Sequence, residues 1–289
     1  TRRRIVHLEV FEGPQLTPPT VSLLSAAEIV PMTGDRWTSG FDLINEGSET
    51  GYADLNPGGG GVFEICPEVG TFKVIGASGA NESYTPYVIY ATDKCSTWPA
   101  KREFYDRAQR KLLAAESTAL ELQLWDGVSN PFLADGAGVH NVIGTVTVPM
   151  TATSAKEAIA LLEQEMGEIS ATRGMIHIRP QVLFPLLEAQ VIRRVGNIYL
   201  SPMDNIVVPG RGYSGTGPAG QVAGATEWMY GHPGIVQVRR GPVIRLGEDD
   251  LASQVDRYVN DRFVIVERVA HVALDSSKGV LAIEFNAIS

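Results

Sequence analysis

A glycine-rich segment late in the chain is the first candidate for ligand chemistry. Residues 210–215 match the Gly-x-Gly-x-x-Gly pattern that binds the pyrophosphate of a dinucleotide. That pattern works where a helix begins at the loop, but Gly217, Pro218 and Gly220 follow here and keep the chain irregular. No strand–helix–strand unit surrounds the segment. We therefore expect residues 209–225 to form a mobile surface loop, and a ligand loop of an oligomeric enzyme at 210–217 is the less favoured alternative.

The histidines and cysteines show no catalytic or metal-binding spacing. The five histidines, at positions 7, 140, 177, 232 and 271, form no His-x-x-x-His or His-Glu-x-x-His pair. His177 and His271 lie in strand-like apolar runs, so we expect packed residues rather than catalytic bases. There is no Gly-x-Ser-x-Gly elbow, and Cys66 and Cys95 are too few for a disulfide framework. The sequence predicts no catalytic residue, no cofactor and no metal.

Two groups of charged residues have spacings that bear on structure. The first group lies in one helical pattern, and we expect it to form a solvated helix face; it consists of Glu116, Glu121, Arg107, Arg110 and Lys111. The second is the pair Glu267-Arg268, which interrupts an apolar run at 263–270. Either strand alternation places one of the two on the outer face, or the pair joins a salt bridge at an interface. We favour the outer face.

Composition and charge exclude several classes of protein. The chain has 289 residues, 44% of them hydrophobic and 20% charged, close to the averages of globular proteins. No apolar run approaches the roughly 18 residues of a membrane-spanning helix. There are 24 Lys and Arg against 33 Asp and Glu, and this net charge of −9 argues against a general nucleic-acid binder. Thr1 at the first position fits removal of an initiator Met.

The first 83 residues do not have the pattern of a compact domain. Residues 1–30 contain three prolines, and residues 31–83 are rich in Gly, Ser, Asp and Glu, with apolar residues thinly spread. The segment is either a disordered tail or a set of extended arms that bury their aromatic residues against other subunits. We favour the arms, because disordered tails are usually poorer in Trp, Phe, Tyr and Ile.

The clearest element is a long helix at about 98–126. Residues 84–91 before it are aromatic and β-branched and predict a strand. In the helix, apolar residues step by three or four positions and predict one buried stripe; they are Phe104, Ala108, Leu112, Ala115, Ala119 and Leu122.

Shorter elements follow, and the mixture predicts an α+β fold. Ser154-x-x-Glu157 is a capping box that opens a helix with Ile159, Leu162 and Met166 on one face. Further helices are predicted at 180–190 and after Asp249-Asp250, where Leu251, Val255 and Val259 share a face. Strands are predicted at 142–148, 175–178, 197–200, 205–208, 234–240, 243–246, 263–273 and 280–285. We expect 234–240 to pair with 243–246, and 263–273 to form a hairpin with 280–285.

Several segments together resemble the major capsid proteins of tailed phages that infect actinobacteria. They are Tyr87–Thr97 (YVIYATDKCST), the helix with AAES at 114–117, LEL at 120–122 and WDG at 125–127, EWMYGHPG at 227–234 and RFVIVERVAHVA at 262–273. The resemblance runs from about residue 84 to the end of the chain. It implies the Hong Kong 97 phage capsid fold.

The family's organisation can be laid onto this chain by segment. Residues 1–33 would be the N-terminal arm, and 34–83 would include an extended loop that laps over a neighbouring subunit. Residues 84–151 would form the peripheral domain with its spine helix. The axial domain would span 152–265, and 266–289 would return to the peripheral domain.

The resemblance also implies a function and partners. Such a protein assembles through pentamers and hexamers into the icosahedral head shell around double-stranded DNA, without sequence-specific binding or catalysis. Its partners are copies of itself, a scaffolding protein (separate, or a segment removed before Thr1), the portal and in some phages a decoration protein. It is made in the host cytoplasm and ends in the virion. Candidate inter-subunit contacts are Trp37, Phe41, Tyr52, Lys73, Glu267 and Arg268.

Three alternatives to a phage capsid stay open at this point. An encapsulin-type compartment would have the same fold around enzyme cargo. An oligomeric enzyme of unfamiliar α+β fold would use residues 210–217 as a ligand loop. A head-completion or tail protein would form rings or tubes.

Overall fold

The computed structural model has four helices and fifteen strands in its described residues. Described are 14–34, 41–44, 81–84, 86–95, 101–126, 133, 145–147, 152–170, 172–218, 220–221, 224, 226–247, 255–256, 261–274 and 279–286. Within these ranges, no helix is both long and apolar enough to cross a membrane.

The helices are α1 (Leu23–Ala26), α2 (Lys101–Asp126), α3 (Ala155–Ile169) and α4 (Pro180–Glu188). The strands in chain order are β1 (Glu28–Pro31), β2 (Phe41–Ile44), β3 (Asn81–Tyr84), β4 (Tyr87–Cys95), β5 (Thr145–Thr147), β6 (Gly174–Ile178), β7 (Arg193–Val195), β8 (Ile198–Leu200), β9 (Ile206–Pro209), β10 (Thr226–Pro233), β11 (Gln237–Arg240), β12 (Ile244–Leu246), β13 (Val255–Asp256), β14 (Asp261–Ala273) and β15 (Val280–Asn286).

The long strand β14 organises a six-stranded sheet. Strand β4 pairs antiparallel along one edge of β14, and β11, β12 and β13 pair in succession along the other. Strand β1 extends the sheet by parallel pairing with β11. Alternate residues of β14 are buried against α2, namely Val264, Val266 and Ala270, because side chains of a strand alternate between two faces.

A second sheet has seven strands in the order β5-β15-β10-β6-β9-β8-β7. Its central strands are nearly continuous runs of buried residues, as expected of a sheet covered on both faces. Helices α3 and α4 cover one face around Ile176, Val207 and Met229. The other face presents Met175 and Tyr230 to the side of α2.

Helix α2 connects the two sheets. Its first turns, with Phe104, Tyr105 and Ala108, pack on β14 of the six-stranded sheet. Its last turns carry Leu124 and Trp125 into the core cluster that includes the seven-stranded sheet. The helix therefore fixes the position of one sheet relative to the other.

Local sequence signals explain where several helices begin. Half of the predicted capping box is present: the Ser154 hydroxyl accepts from the Glu157 backbone N–H at 3.3 Å, and α3 begins at the next residue. The Glu157 carboxylate accepts from Thr153, at 2.7 Å from the backbone N–H, rather than from the cap residue itself. Helix α4 opens with Pro180 at its first position, where a proline leaves no hydrogen bond unmade.

Three pairing and helix predictions are wrong. Residues 255–256 form β13 on β14 rather than a helix, because pairing with the long strand outweighs helical periodicity. Strands β11 and β12 do not pair with each other but both pair with β14. Strands β14 and β15 form no hairpin, since they belong to different sheets.

The buried face of α2 also differs from the predicted stripe. Phe104, Ala108 and Leu112 are buried as expected, but Ala115 is exposed and Leu122 is 51% exposed. The buried face continues instead through residues four positions apart and their neighbours, which are Glu116, Leu120 and Leu124 with Ser117, Glu121 and Trp125. Two carboxylates therefore lie in the core, and the expected solvated face is wrong for both.

Each of the two large sheets combines strands that are far apart in the sequence. Strands β11 and β12, within 152–265, lie in the same sheet as β4. Strand β15, within 266–289, lies between β5 and β10 in the other sheet. Strands β2 and β3 pair antiparallel as a separate two-stranded ribbon.

Candidate functional site: the polar contacts of the long helix and the exposed face of its sheet

Glu116 in the middle of α2 joins the helix to the six-stranded sheet. Its side chain is 2% exposed, and both carboxylate oxygens accept from Nη1 of Arg268, at 2.6 and 2.8 Å. Nη1 of Arg240 lies 3.4 Å from the same oxygens. A buried carboxylate is tolerated only when it is paired in this way. The contact is internal to the subunit, which the sequence did not anticipate for Arg268.

Glu121, one turn further along, ties two distant segments to α2. Its Oε1 accepts from the Leu23 backbone N–H at 3.0 Å and from the Ser117 hydroxyl at 3.1 Å. Its Oε2 accepts from the Gly212 backbone N–H at 3.0 Å. Burial raises the pKa of Glu121, and these hydrogen bonds offset only part of that effect.

The glycine-rich loop is packed against α2. Gly210, Tyr213, Gly215 and Gly217 are buried, so the prediction of a surface loop is wrong for these four residues, whereas Arg211 and Ser214 are exposed. A Cβ on Gly212 would lie 2.2 Å from the Thr118 carbonyl oxygen of α2, so the helix and the loop meet backbone to backbone there. The sequence does contain the signal, since glycine permits such close approach.

Aromatic side chains of α2 and β10 pack against the same loop and bond to it. The Tyr213 and Trp125 rings lie 4.7 Å apart, and Trp125 meets Tyr230 edge-on at the same separation. The carbonyl oxygen of Thr216 accepts from Trp125 Nε1 at 3.1 Å and from the Tyr230 hydroxyl at 2.8 Å. The Thr216 hydroxyl bonds the carboxylate of Asp126 at the end of α2.

Three of the histidines are buried. Nε2 of His177 lies 2.9 Å from Nε2 of His232, and Nδ1 of His177 lies 2.7 Å from the Tyr213 hydroxyl. The prediction that His177 is packed is confirmed, but its partners are side chains rather than backbone groups. Burial, followed by the charge of Arg239, lowers the pKa of His271 to about 3. Within the described residues, no three metal-ligating side chains converge on one point.

The face of the six-stranded sheet that points away from α2 is largely apolar. We call it the outer sheet face; its described members are Val88, Tyr90, Thr92 and Lys94 of β4, Ile244 and Leu246 of β12, and Phe263, Ile265, Glu267 and Val269 of β14. Tyr90 is 68% exposed and Val88 50% exposed. Glu267 stands in register with Tyr90 on one side and Ile244 on the other. An exposed apolar patch of this kind is typical of a protein–protein contact.

The arrangement matches solved structures of shell proteins over almost the whole chain. It is similar to the capsid of an empty GTA particle, with 12% sequence identity, a TM-score of 0.54 and coverage of 96% of this chain and 100% of that one. It is similar to a Mycobacterium phage Cain structure, with 13% identity, a TM-score of 0.52 and coverage of 99% and 97%. It is also similar to the holo-SrpI encapsulin complex of Synechococcus elongatus PCC 7942, with 9% sequence identity, a TM-score of 0.54 and coverage of 99% of this chain and 95% of that one. No family model and no curated protein matches the sequence.

The chain has the capsid fold. The fold expected from the resemblance is thereby confirmed, and α2 is its spine helix. The identities to these structures are only 9–13%, so the match to them is one of architecture.

The structure describes the side chains of only two of the six candidate contact residues, Glu267 and Arg268. Trp37, Tyr52 and Lys73 lie outside the described residues. Phe41 begins β2, but its side chain is not among those described. Glu267 lies on the outer sheet face, as alternation predicts, whereas Arg268 faces α2.

Proposed function

We propose that this chain is the major capsid protein of a tailed phage, a structural subunit rather than an enzyme. It assembles through pentamers and hexamers into the icosahedral head shell that encloses double-stranded DNA. The observation that carries the proposal is the capsid fold along nearly the full chain, combined with an apolar outer sheet face.

The outer sheet face supplies the driving force for assembly. Burying apolar surface contributes roughly 25 cal/mol per Å². A monomer leaves Tyr90, Val88, Ile244 and Leu246 exposed, so this contribution is gained when a second copy covers them. Glu267, set between Tyr90 and Ile244, restricts which partner surface fits.

The extended loop of a neighbouring subunit is the element that we assign to this face. Strands β2 and β3 form the base of that loop, because the segment 45–80 runs between them and β3 leads directly into β4. Trp37, Phe41, Tyr52 and Lys73 are its candidate contacts. The six-stranded sheet with α2 corresponds to the peripheral domain, and the seven-stranded sheet with α3 and α4 to the axial domain.

The remaining partners follow from the role of a phage shell. We assign the protein to the virion, after synthesis in the host cytoplasm. A scaffolding protein, a portal and, in some shells, a decoration protein would complete the head. The net charge of −9 suits a wall that contains DNA without gripping it, because a basic wall would bind phosphates and hinder DNA movement.

Electron microscopy and sedimentation velocity of the purified full chain, with and without scaffolding protein, test the proposal. Closed shells, pentamers or hexamers are the expected particles. A uniform dimer or tetramer at every concentration would contradict it. Deleting residues 40–75 should leave a folded chain that closes no shells, and normal shells from that deletion would rule out the assigned role of the extended loop.

A substitution on the outer sheet face tests the surface itself. Tyr90→Asp places a charge where we expect a neighbour, so shells should fail while the subunit stays folded, since Tyr90 is 68% exposed. Tyr90→Phe is the matched control and should assemble normally. Normal shells from Tyr90→Asp would remove this face from the contact.

An encapsulin-type compartment is the second candidate, and the match to the Synechococcus encapsulin complex at a TM-score of 0.54 favours it as much as the match to the GTA capsid. The contents of native particles discriminate the two. Packaged double-stranded DNA supports the phage head, and protein cargo without DNA supports the compartment.

A further inference from the structure

His177 of β6 and His232 of β10 form a continuous line of hydrogen bonds with the glycine-rich loop. Both imidazoles are 0% exposed, and their rings stack with centroids 5.1 Å apart. The line runs from the Tyr213 hydroxyl to Nδ1 of His177 at 2.7 Å, then between the two Nε2 atoms at 2.9 Å. It ends at the Pro233 carbonyl, 3.3 Å from Nδ1 of His232.

The direction of each bond in this line follows from the Pro233 end. A carbonyl oxygen only accepts, so His232 carries its hydrogen on Nδ1 and accepts at Nε2. His177 must then donate from Nε2, which leaves its Nδ1 to accept from the Tyr213 hydroxyl. Three hydrogens serve these three bonds.

We propose that this line is an acid-sensitive catch: a proton taken up by the His177–His232 pair releases residues 210–217 from α2 while the two sheets stay folded. A proton on His177 turns Nδ1 into a donor, so Tyr213 must accept there and direct its own hydrogen elsewhere. The Tyr213 side chain is buried, and among the described residues its hydroxyl bonds His177. An unsatisfied buried donor favours movement of the loop into water.

The groups around the pair fix the sign of the effect. Burial, and then the neighbouring imidazole, hold the pKa of His177 well below its ordinary value of 6.5. When the loop is released, water reaches the His177 imidazole, and its pKa returns toward about 6.5. The released form therefore binds more protons, and a fall of pH below about 6.5 favours it.

Two carboxylates of α2, Glu121 and Asp126, bond the same loop. Burial, and then the charge of Glu121, raise the pKa of Tyr213, so the phenol stays protonated. Glu121 has the opposite effect on the loop, because its own raised pKa favours the closed form once it takes up a proton. Asp126 bonds Thr216 in the same loop. As the pH falls below about 6.5, proton uptake by His177 favours release of the loop, and proton uptake by Glu121 opposes it.

Hydrogen–deuterium exchange of the full chain, in one assembly state at pH 7.5, 6.5 and 5.5, tests the catch. Protection of the amides of 211–217, corrected for intrinsic exchange, should fall below pH 6.5 by up to about tenfold per pH unit for each proton taken up. Protection of β6 and β14 should stay constant. Unchanged protection of 211–217, or an equal loss throughout the chain, would overturn the proposal.

Two phenol-to-phenyl variants separate the catch from ordinary packing. Tyr213→Phe removes the bond to His177, so protection of 211–217 should already be low at pH 7.5 and should no longer depend on pH. Tyr230→Phe removes a non-titrating bond to Thr216, so it should lower protection equally at every pH and keep the wild-type slope. The proposal is contradicted if protection of 211–217 in Tyr213→Phe depends on pH as steeply as in the wild type. If that variant fails to fold, the pH dependence of protection in the wild-type chain is the deciding test.

Discussion

Arg268 of β14 donates from one guanidinium nitrogen to both carboxylate oxygens of Glu116 in α2, at 2.6 and 2.8 Å. This contact crosses the interface between the spine helix and the strand around which the six-stranded sheet is built. The Glu116 side chain is 2% exposed and that of Arg268 is 12% exposed, so water screens the pair little. This buried ion pair, with Arg240 at its edge, is one of several polar contacts between the helix and the sheet, which include the pairs of Arg107 and Lys111 with Asp93 of β4.

Arg268→Ala should destabilise the subunit by about 3 kcal/mol, because it leaves Glu116 buried with only the longer contact to Arg240. Urea unfolding of the unassembled chain measures the loss. The double variant Glu116→Leu with Arg268→Leu should recover most of it, since no uncompensated charge then remains in the core. Equal losses in the single and double variants would show that packing of the arginine stem, rather than charge, is what matters.

Gly212→Ala should destabilise the chain by about 2 kcal/mol or more, because the new Cβ would lie 2.2 Å from the Thr118 carbonyl oxygen and push the loop off α2. Gly167→Ala is the matched control. Gly167 lies in α3 with no atom within 4 Å of its Cβ position, so alanine there should stabilise by about 0.5–1 kcal/mol. Thermal unfolding of the two variants should move in opposite directions, and a stable Gly212→Ala would contradict the close approach.

Glu121→Gln should destabilise the subunit by about 1–2 kcal/mol at pH 7.5, because an amide offers one acceptor oxygen to the backbone N–H groups of Leu23 and Gly212. Loss of a buried charge offsets part of the cost. Glu168→Gln on the exposed surface of α3 serves as control and should be neutral. Hydrogen exchange should localise the effect to α1 and to residues 211–213, and an unchanged exchange pattern would show that Glu121 does not tie them.

Removal of His271 should reduce the loss of stability in acid. Its pKa of about 3 in the folded chain lies below the ordinary 6.5, so its contribution is complete above pH 6.5 and is lost as pH falls toward 3. At pH 5 this amounts to about 2 kcal/mol. The difference in unfolding free energy between pH 7.5 and pH 5 should be smaller by that amount in His271→Gln than in the wild type. Parallel profiles would contradict the shift.

Short-range signals in the sequence predicted the elements that depend on neighbours along the chain. The spine helix was predicted at 98–126 and lies at Lys101–Asp126, and the capping box placed the start of α3 to the residue. The strand β14 was predicted at 263–273 and spans Asp261–Ala273. Periodicity, caps and β-branched runs depend on residues that are close in the sequence, so they can be recognised without knowledge of the tertiary structure.

Predictions that depended on partners distant in sequence failed. Helical spacing at Leu251, Val255 and Val259 predicted a helix, but residues 255–256 pair with β14. The turn signals around residue 277 predicted a hairpin, yet β14 and β15 enter different sheets. A turn signal marks a change of direction, and which strand lies beyond it is decided by competition among all the strands.

The sequence by itself determined the α+β class, the long helix, the lack of a recognisable catalytic spacing and, through the resemblance, the capsid fold. Only the tertiary structure decided that Glu116 and Glu121 are buried, that residues 210–217 pack on α2, and that His177 meets His232. A charged or glycine residue carries no periodic signal of burial, because its environment is made by segments about 50–150 residues away. The packing of the two sheets against the spine helix likewise determines which sheet faces remain exposed.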